Sequence, residues 1–402
     1  MTADSPTGTP TSAPTTAQLD TIRGWRRALH QIPETGFVEH ATSDYISQTL
    51  ASMGIPHVRG VGGTGIVASL KLGDSPRSIG IRADMDGLPI AEETGLDWAS
   101  RHDGTMHACG HDGHMAMALG AAHVLAAEGG FDGTVHFVFQ PSEEHGRGAQ
   151  AMLDDDLAGR FPMQAIFGLH NTPGLAVGHL HTRPGGLMAS EDNFTIRIHG
   201  RGGHASGPHM VVDPLVIGAE IVTALQTIVS RSIPSTLPAV VSCTEFVTDG
   251  ARNAIPSNVT ITGDTRSFDP EVQEIMEQRM RALVENICAA HGATGTVEYT
   301  HEFAPTINDP ASTDAAVAAA RAAVGDSRVD GACDPWMASE DFGAFSRVIP
   351  GCFLFIGNGA TGEHGGVPLH SHDYQFNDDA LGAGVSFYVE LVRSMLPVEV
   401  RA

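Results

Sequence analysis

Two hydrophobic rhythms divide the chain. Leu19, Ile22, Trp25, Leu29 and Ile32 recur at helical spacing, which predicts a first helix from just after Thr16 to before Pro33. A second helix is expected over about 41–53, stopped by Gly54. Short β-type runs follow at 65–72 (GIVASLKL) and 78–85 (SIGIRADM). After a loop around 101–112, the run GHMAMALGAAHVLAAE predicts a helix over about 113–128. The runs 134–141 (TVHFVFQP) and 165–170 (AIFGLH) are strongly apolar strands. Strands alternating with helices predict an α/β layer on a mostly parallel sheet. In such sheets sites gather at the carboxyl ends of the strands.

The middle of the chain reads differently. Residues 193–206 alternate like a half-buried strand, 213–229 form one amphipathic helix, and 239–247 and 258–268 are strands. A second helix over 270–292 and a strand over 297–303 complete a βαββαβ pattern, the rhythm of a small α+β layer with helices on one face. The α/β style then resumes with a helix at 312–323, a strand at 352–357 and a final helix at 378–395. The expectation is a disordered lead over 1–16, an α/β domain over 17–185 and 301–402, and a smaller α+β domain inserted over 186–300.

Composition narrows the function classes. The chain of 402 residues carries 47 Asp+Glu against 23 Lys+Arg, a formal charge of −24, which repels nucleic acid. The five cysteines are odd in number and lack C-x-x-C spacing, which fits a reducing compartment and a cytoplasmic protein. The opening MTADSPTGTPTSAPTTAQLD has neither a basic n-region nor an apolar h-region. No uninterrupted apolar run approaches ~18 residues, so no membrane association is expected. The 21 histidines in so acidic a chain raise the question of metal.

Four segments answer it. MHACGHDGH (106–114) packs His107, Cys109, His111, Asp112 and His114 together, and Cys109 and His111, two apart, share a side of an extended loop. Thiolate and imidazole both suit zinc-like metals. The strand ending in FVFQPSEEHGRGA delivers Glu143 and Glu144, adjacent acids that divide naturally into one metal ligand and one general base. His170 follows another apolar strand, and His370 and His372 lie near the C-terminus. Each histidine alone is more simply a satisfied polar residue. Together, Cys109, His111, one of Glu143 and Glu144, His170 and one of His370 and His372 supply five donors. A closed structural zinc site needs four. Five with one shared suit two metals and a water between them.

With the motifs RRALHQIPETGF, IRADMDGLPI, HACGHDGH, FQPSEEHGRGA, GLHN, GRGGHAS, NAIPSNVTITGDTRSF, ASEDFG and LHSHDYQFND in this order, the chain resembles the amidohydrolase branch of the metal-dependent aminoacylase and glutamate-carboxypeptidase superfamily. That branch includes hippurate hydrolases, indole-acetyl-amino-acid hydrolases and N-acyl-amino-acid amidohydrolases, and the match spans about 20–396. The resemblance implies a hydrolase of N-acyl-L-amino acids, with a dipeptidase or carboxypeptidase of the same superfamily as the alternative. It implies two divalent ions (zinc, manganese, cobalt or nickel) held by Cys109, His111, Glu144, His170 and His370. Cys109 stands where other branches place a bridging carboxylate. Glu143 becomes the general base, and Asp86 the acid that orients a ligand. Asp84 is read as structural, and Ser339, Glu340 and Asp341 as lining the site. The inserted domain becomes a lid and dimerisation domain, in a homodimer or homotetramer. His204 resembles the histidine that relatives insert into a partner subunit's active site, and Asn253 and Arg266 resemble holders of the substrate carboxylate. Two departures stand out: His372 replaces a usual proline, and Thr172 replaces a frequent aromatic residue.

Overall fold

The computed structural model describes residues 13–398. Of the lead expected over 1–16, residues 1–12 lie outside the described residues. Thr15 already belongs to the fold: its side chain accepts from the Gln18 amide while Gln18 reaches back to the Thr15 amide, a capping box that starts the helix Thr16–His30. The described residues divide into two compact units, 13–185 with 307–334 and 344–398, and 186–306 with 335–343. The return of 335–343 to the second unit has no signature in the hydrophobic pattern. It is held there by Ala189, whose amide donates to the Trp336 and Ala338 carbonyls. Ser339, Glu340 and Asp341 travel with it, and the Ser339 hydroxyl donates to Glu191 at 2.7 Å.

The first unit is built on an eight-stranded sheet. Its centre is the parallel set Gly133–Gln140, Ser78–Asp84, Ile166–Pro173 and Gly351–Gly359, in that spatial order. Antiparallel pairs flank this set: His57–Val61 and Gly65–Leu72 pair antiparallel on one side, and Leu180–His181 runs antiparallel to Gly351–Gly359 on the other, with the edge strand Val329–Asp330 parallel to Leu180–His181. The sheet is therefore mixed; of these antiparallel pairs only His57–Val61 and Gly65–Leu72 are joined by a hairpin-length connection. The central strands are buried along their length, as a sheet covered on both faces requires. The helix His111–Glu128 is apolar all round. Its small residues let neighbours close in, so that a side chain at Gly113 would strike the Phe376 ring.

The second unit has a four-stranded antiparallel sheet: Ala239–Thr248, Asn258–Ser267, Glu191–His199 and Thr294–Phe303 in spatial order. Pro270–Ala290 buries Val272, Met276, Met280, Val284 and Cys288, one residue per turn. Pro214–Thr227 continues through a π-helical turn to Ser232. By length and composition alone Pro214–Ser232 could cross a membrane. Its Ile217, Ile221, Leu225 and Ile228 are instead buried in this unit's core. Asp213 and Asp269 cap the two helices through the amides two residues on.

Candidate metal centre

The site of the first unit forms where the parallel strands end together. Asp84, last residue of its strand, is level with Gln140, last residue of the next, and His170 pairs in register with Phe355. His170 lies inside its strand, which runs on to Pro173, rather than beyond its end. Cys109 and His111 do not sit on an extended loop either. Gly110 takes a left-handed conformation at φ +83° as the N-cap, and His111 opens the helix. The turn requires glycine twice over, because a Cβ there would also lie 2.4 Å from Asn171 Nδ2 and 2.5 Å from the Tyr374 hydroxyl. The pair thus converges through a tight turn instead of strand alternation.

Among the groups of three candidate ligand atoms in the described residues that lie within 4.8 Å of one another, two contain a cysteine: Cys109, His111 and His170, and Cys109, Glu144 and His370. Cys109 belongs to both. Its sulfur is 3.4 Å from His170 Nε2, and Glu144 Oε2 is 3.5 Å from His370 Nε2. Glu143 groups with His111 and Glu144 and belongs to neither cysteine triad. His370 is exposed and sits at φ +63°, its amide donating to the Ala108 carbonyl. His372 faces elsewhere, 3.5 Å from Glu93.

Hydrogen bonds fix the ring tautomers. His111 Nδ1 lies 2.8 Å from the Asp86 carbonyl, and His170 Nδ1 lies 2.7 Å from the Asn171 carbonyl. A carbonyl can only accept, so both rings carry their proton on Nδ1 and aim the Nε2 lone pair into the cluster. His114 differs: its Nε2 accepts from the Asn171 amide at 2.9 Å and its Nδ1 donates to Asp84 Oδ1 at 2.6 Å. Both nitrogens are used, so it is a support and not a ligand. Buried Arg82 donates to Asp84 at 2.7 Å and to Gln140 at 2.7 Å.

The donor set fits divalent ions. His111 Nε2 and Glu144 Oε1 are buried with no hydrogen-bond partner, a costly condition unless a cation meets them. The electrostatics agree. Burial alone would lower the His111 pKa, yet Asp84, Asp86 and Glu144 raise it to about 10, so the pocket favours positive charge at Nε2, where a metal ion would displace the proton. Burial raises the Glu144 carboxyl to about 7 against the pull of His111. Burial, reinforced by His114, holds His170 well below the ordinary range, so it is a neutral imidazole. Zinc, manganese, cobalt and nickel all accept such thiolate, imidazole and carboxylate donors.

Buried carboxylates grip the Ser142–Glu144 backbone. The Asp86 carboxylate accepts the Glu143 and Glu144 amides at 3.1 Å each. Glu39, fully buried, accepts the Ser142 amide at 2.8 Å and the Thr64 hydroxyl at 2.5 Å. Ser142 is held at φ +51°, a conformation costing about 1–2 kcal/mol for a non-glycine residue. Asp86 therefore anchors the glutamate loop by its side chain and His111 by its carbonyl. The sequence assigns Glu39, Asn171 and Tyr374 no role of their own, although GLHN and LHSHDYQFND contain the last two, because their partners are distant in the chain. Asn171 donates to the Cys109 carbonyl at 2.6 Å and accepts from Tyr374 at 2.6 Å.

The remaining predicted residues lie in the second unit. His204 sits on the short strand Gly203–His204, paired with Ala254–Ile255, and the Ala205 amide donates to the Asn253 carbonyl. Arg266 is engaged by two carboxylates of its own unit, Glu191 at 2.9 Å and Asp264 at 2.6 Å.

Comparison with known proteins identifies the family. The chain is 36% identical over 371 residues to a hippurate hydrolase of Campylobacter jejuni, covering 92% of this chain and 95% of the relative. It is 36% identical over 372 residues to an N-acetylcysteine deacetylase of Bacillus subtilis, covering 91% and 94%. A crystal structure of a Bacillus subtilis protein described as a dinuclear metal-binding peptidase superposes with a TM-score of 0.82 at 33% identity, covering 95% of this chain and 99% of that one. The model of peptidase family M20/M25/M40 matches residues 80–394. On these matches the chain is a member of peptidase family M20/M25/M40.

Proposed function

We propose that the protein hydrolyses the amide bond of N-acyl-L-amino acids, releasing a carboxylic acid and a free amino acid. The observation that carries this reading is the sharing of the Cys109 sulfur between two ligand triads, with Glu143 close by and in neither. The names of the two relatives, one acting on hippurate and one on N-acetylcysteine, support the substrate class.

In this reading Cys109, His111 and His170 hold one divalent ion, and Cys109, Glu144 and His370 hold the other. When bound, the pair supplies Lewis acidity, bringing the pKa of a water toward roughly 7 and polarising the amide carbonyl. Glu143 takes the proton of the attacking water and returns it to the nitrogen of the departing amino acid. Attack forms the C–O bond and leaves a tetrahedral oxyanion, and the C–N bond breaks once Glu143 has protonated the nitrogen. Asp86 holds Glu143 and Glu144 in place through their amides. His204, acting across a homodimer, donates a hydrogen bond to the developing oxyanion. Asn253 and Arg266 receive the substrate carboxylate, Arg266 with the part of its fork that Glu191 and Asp264 leave accessible. The residue 186–306 unit serves as lid and dimerisation domain. Five free cysteines fit a reducing, cytoplasmic setting.

Glu143→Ala tests the assignment. Turnover of N-acyl amino acids should vanish while metal content stays near two ions per chain. Retained turnover would refute Glu143 as the base. A mixture of Glu143→Ala and His204→Ala chains should regain part of the activity. No recovery after verified subunit exchange would refute the action of His204 across subunits.

A further inference from the structure

His204 carries a local device that fixes which of its ring nitrogens is protonated. The Ser206 amide donates to His204 Nδ1 at 3.2 Å, and the Ser206 hydroxyl lies 2.7 Å from the same nitrogen. An amide N–H can only donate, so Nδ1 is an acceptor. A neutral imidazole with Nδ1 as acceptor must carry its proton on Nε2. The hydroxyl rotates freely, and next to an occupied acceptor its favourable orientation is to donate as well.

The backbone around this pair is held from both sides. Gly203–His204 pairs with Ala254–Ile255, the Ala205 amide donates to Asn253, and the Gly207 amide returns to the His204 carbonyl at 2.9 Å. Gly202, His204, Asn253 and Ile255 are among the residues lining an open groove of about 360 Å³. A side chain on so short a closed turn keeps its Nδ1 edge over Ser206. The Nε2 edge is then the one presented to a ligand.

We infer that Ser206 is a positioning residue that locks His204 in the Nε2–H tautomer, making it a hydrogen-bond donor to an oxygen-bearing ligand. The use of that donor on an oxyanion rests on the function proposed above, but the tautomer lock does not. A histidine free to exchange tautomers would present a lone pair to the oxygen for much of the time, and the interaction would be repulsive.

The test is histidine-selective 15N NMR on the metal-loaded dimer, with the His204 signals assigned by their loss in His204→Gln. The wild type should show an unprotonated Nδ1 and a protonated Nε2. Ser206→Ala keeps the backbone amide but loses the shorter hydroxyl bond at 2.7 Å, so both signals should move part of the way toward a mixed tautomer, and Ser206→Thr, which keeps the hydroxyl, should restore them. In the same proteins kcat should fall by about twofold in Ser206→Ala, the share of donor tautomer that an even mixture would lose. KM and metal content should stay unchanged, and Ser206→Thr should recover the rate. A His204 tautomer unchanged by Ser206→Ala would overturn the inference whatever the activity. A tautomer that moves while kcat does not would uphold the lock and refute His204 as the oxyanion donor.

Discussion

Replacing Asp86 by Ala should disable the site while every candidate ligand and the proposed base stay in the sequence. The Asp86 carboxylate is buried and accepts two consecutive amides, those of Glu143 and Glu144, at 3.1 Å each. Alanine leaves both donors without an acceptor. Each orphaned buried donor costs about 1–3 kcal/mol, so the loop would lose on the order of 2–6 kcal/mol. Glu143 and Glu144 keep slight solvent exposure, and water that reaches the amides brings the figure toward the lower end. The neighbouring Ser142 at φ +51° keeps its bonds to Glu39 and Gly148 in that variant, but the two amides after it lose their acceptor, so the loop should relax away from its strained turn. A displacement of about 1 Å in a catalytic group is worth roughly 10²-fold in rate. The assay is kcat and metal content of Asp86→Ala, together with the denaturant midpoint of the metal-loaded protein. The expected result is a loss of at least about 10²-fold in kcat and a lower midpoint. Asp86→Asn, which keeps one acceptor oxygen, should fall between. Wild-type turnover and stability in Asp86→Ala would refute the claim that the carboxylate holds the glutamate loop.

Other outcomes follow from the same structure. Gly110→Ala combines a left-handed φ with contacts at 2.4 and 2.5 Å, so it should destabilise the fold by several kcal/mol and lose metal; an unchanged melting temperature would refute the fit of that turn. His30 is buried between Asp112 at 2.8 Å and Glu92 at 3.3 Å. Burial alone would lower its pKa, but the two carboxylates raise it to about 9. A raised folded-state pKa means that its contribution is full below pH 6.5 and fades as pH rises through about 9. The stability gap between wild type and His30→Gln should therefore shrink over that interval, and a gap constant with pH would contradict the pairing. Chelation should lower the melting temperature, and either zinc or manganese should restore it, because the ligands bind only in the folded arrangement; a melting temperature indifferent to chelator would refute the metal centre.

The α/β rhythm was legible because burial imposes a periodicity on the chain. The strand Gly65–Leu72 matches its apolar run residue for residue, and the helices Thr16–His30 and Pro270–Ala290 match theirs to within a few residues. The βαββαβ order of the second unit was readable for the same reason. Short elements without enough residues to show a period, such as Leu180–His181 and Gly148–Asp154, were not. The return of 335–343 to the second unit was also hidden, since it depends on backbone bonds to Ala189.

The sequence by itself determined the chemical alphabet of the site: a cysteine, histidines and paired glutamates at or near strand ends, whose identities fix what they can bind. Tertiary structure decided the rest. Only folding brings Cys109 into two triads at once, sets His370 beside Glu144, and turns His372 toward Glu93. Only folding makes Glu39 a partner of Ser142, across 103 residues of chain. The physical reason is range. Periodicity and residue chemistry act between near neighbours and leave their mark in the order of residues. Which lone pair faces which depends on strand register and tight turns that bring distant segments within 3–4 Å.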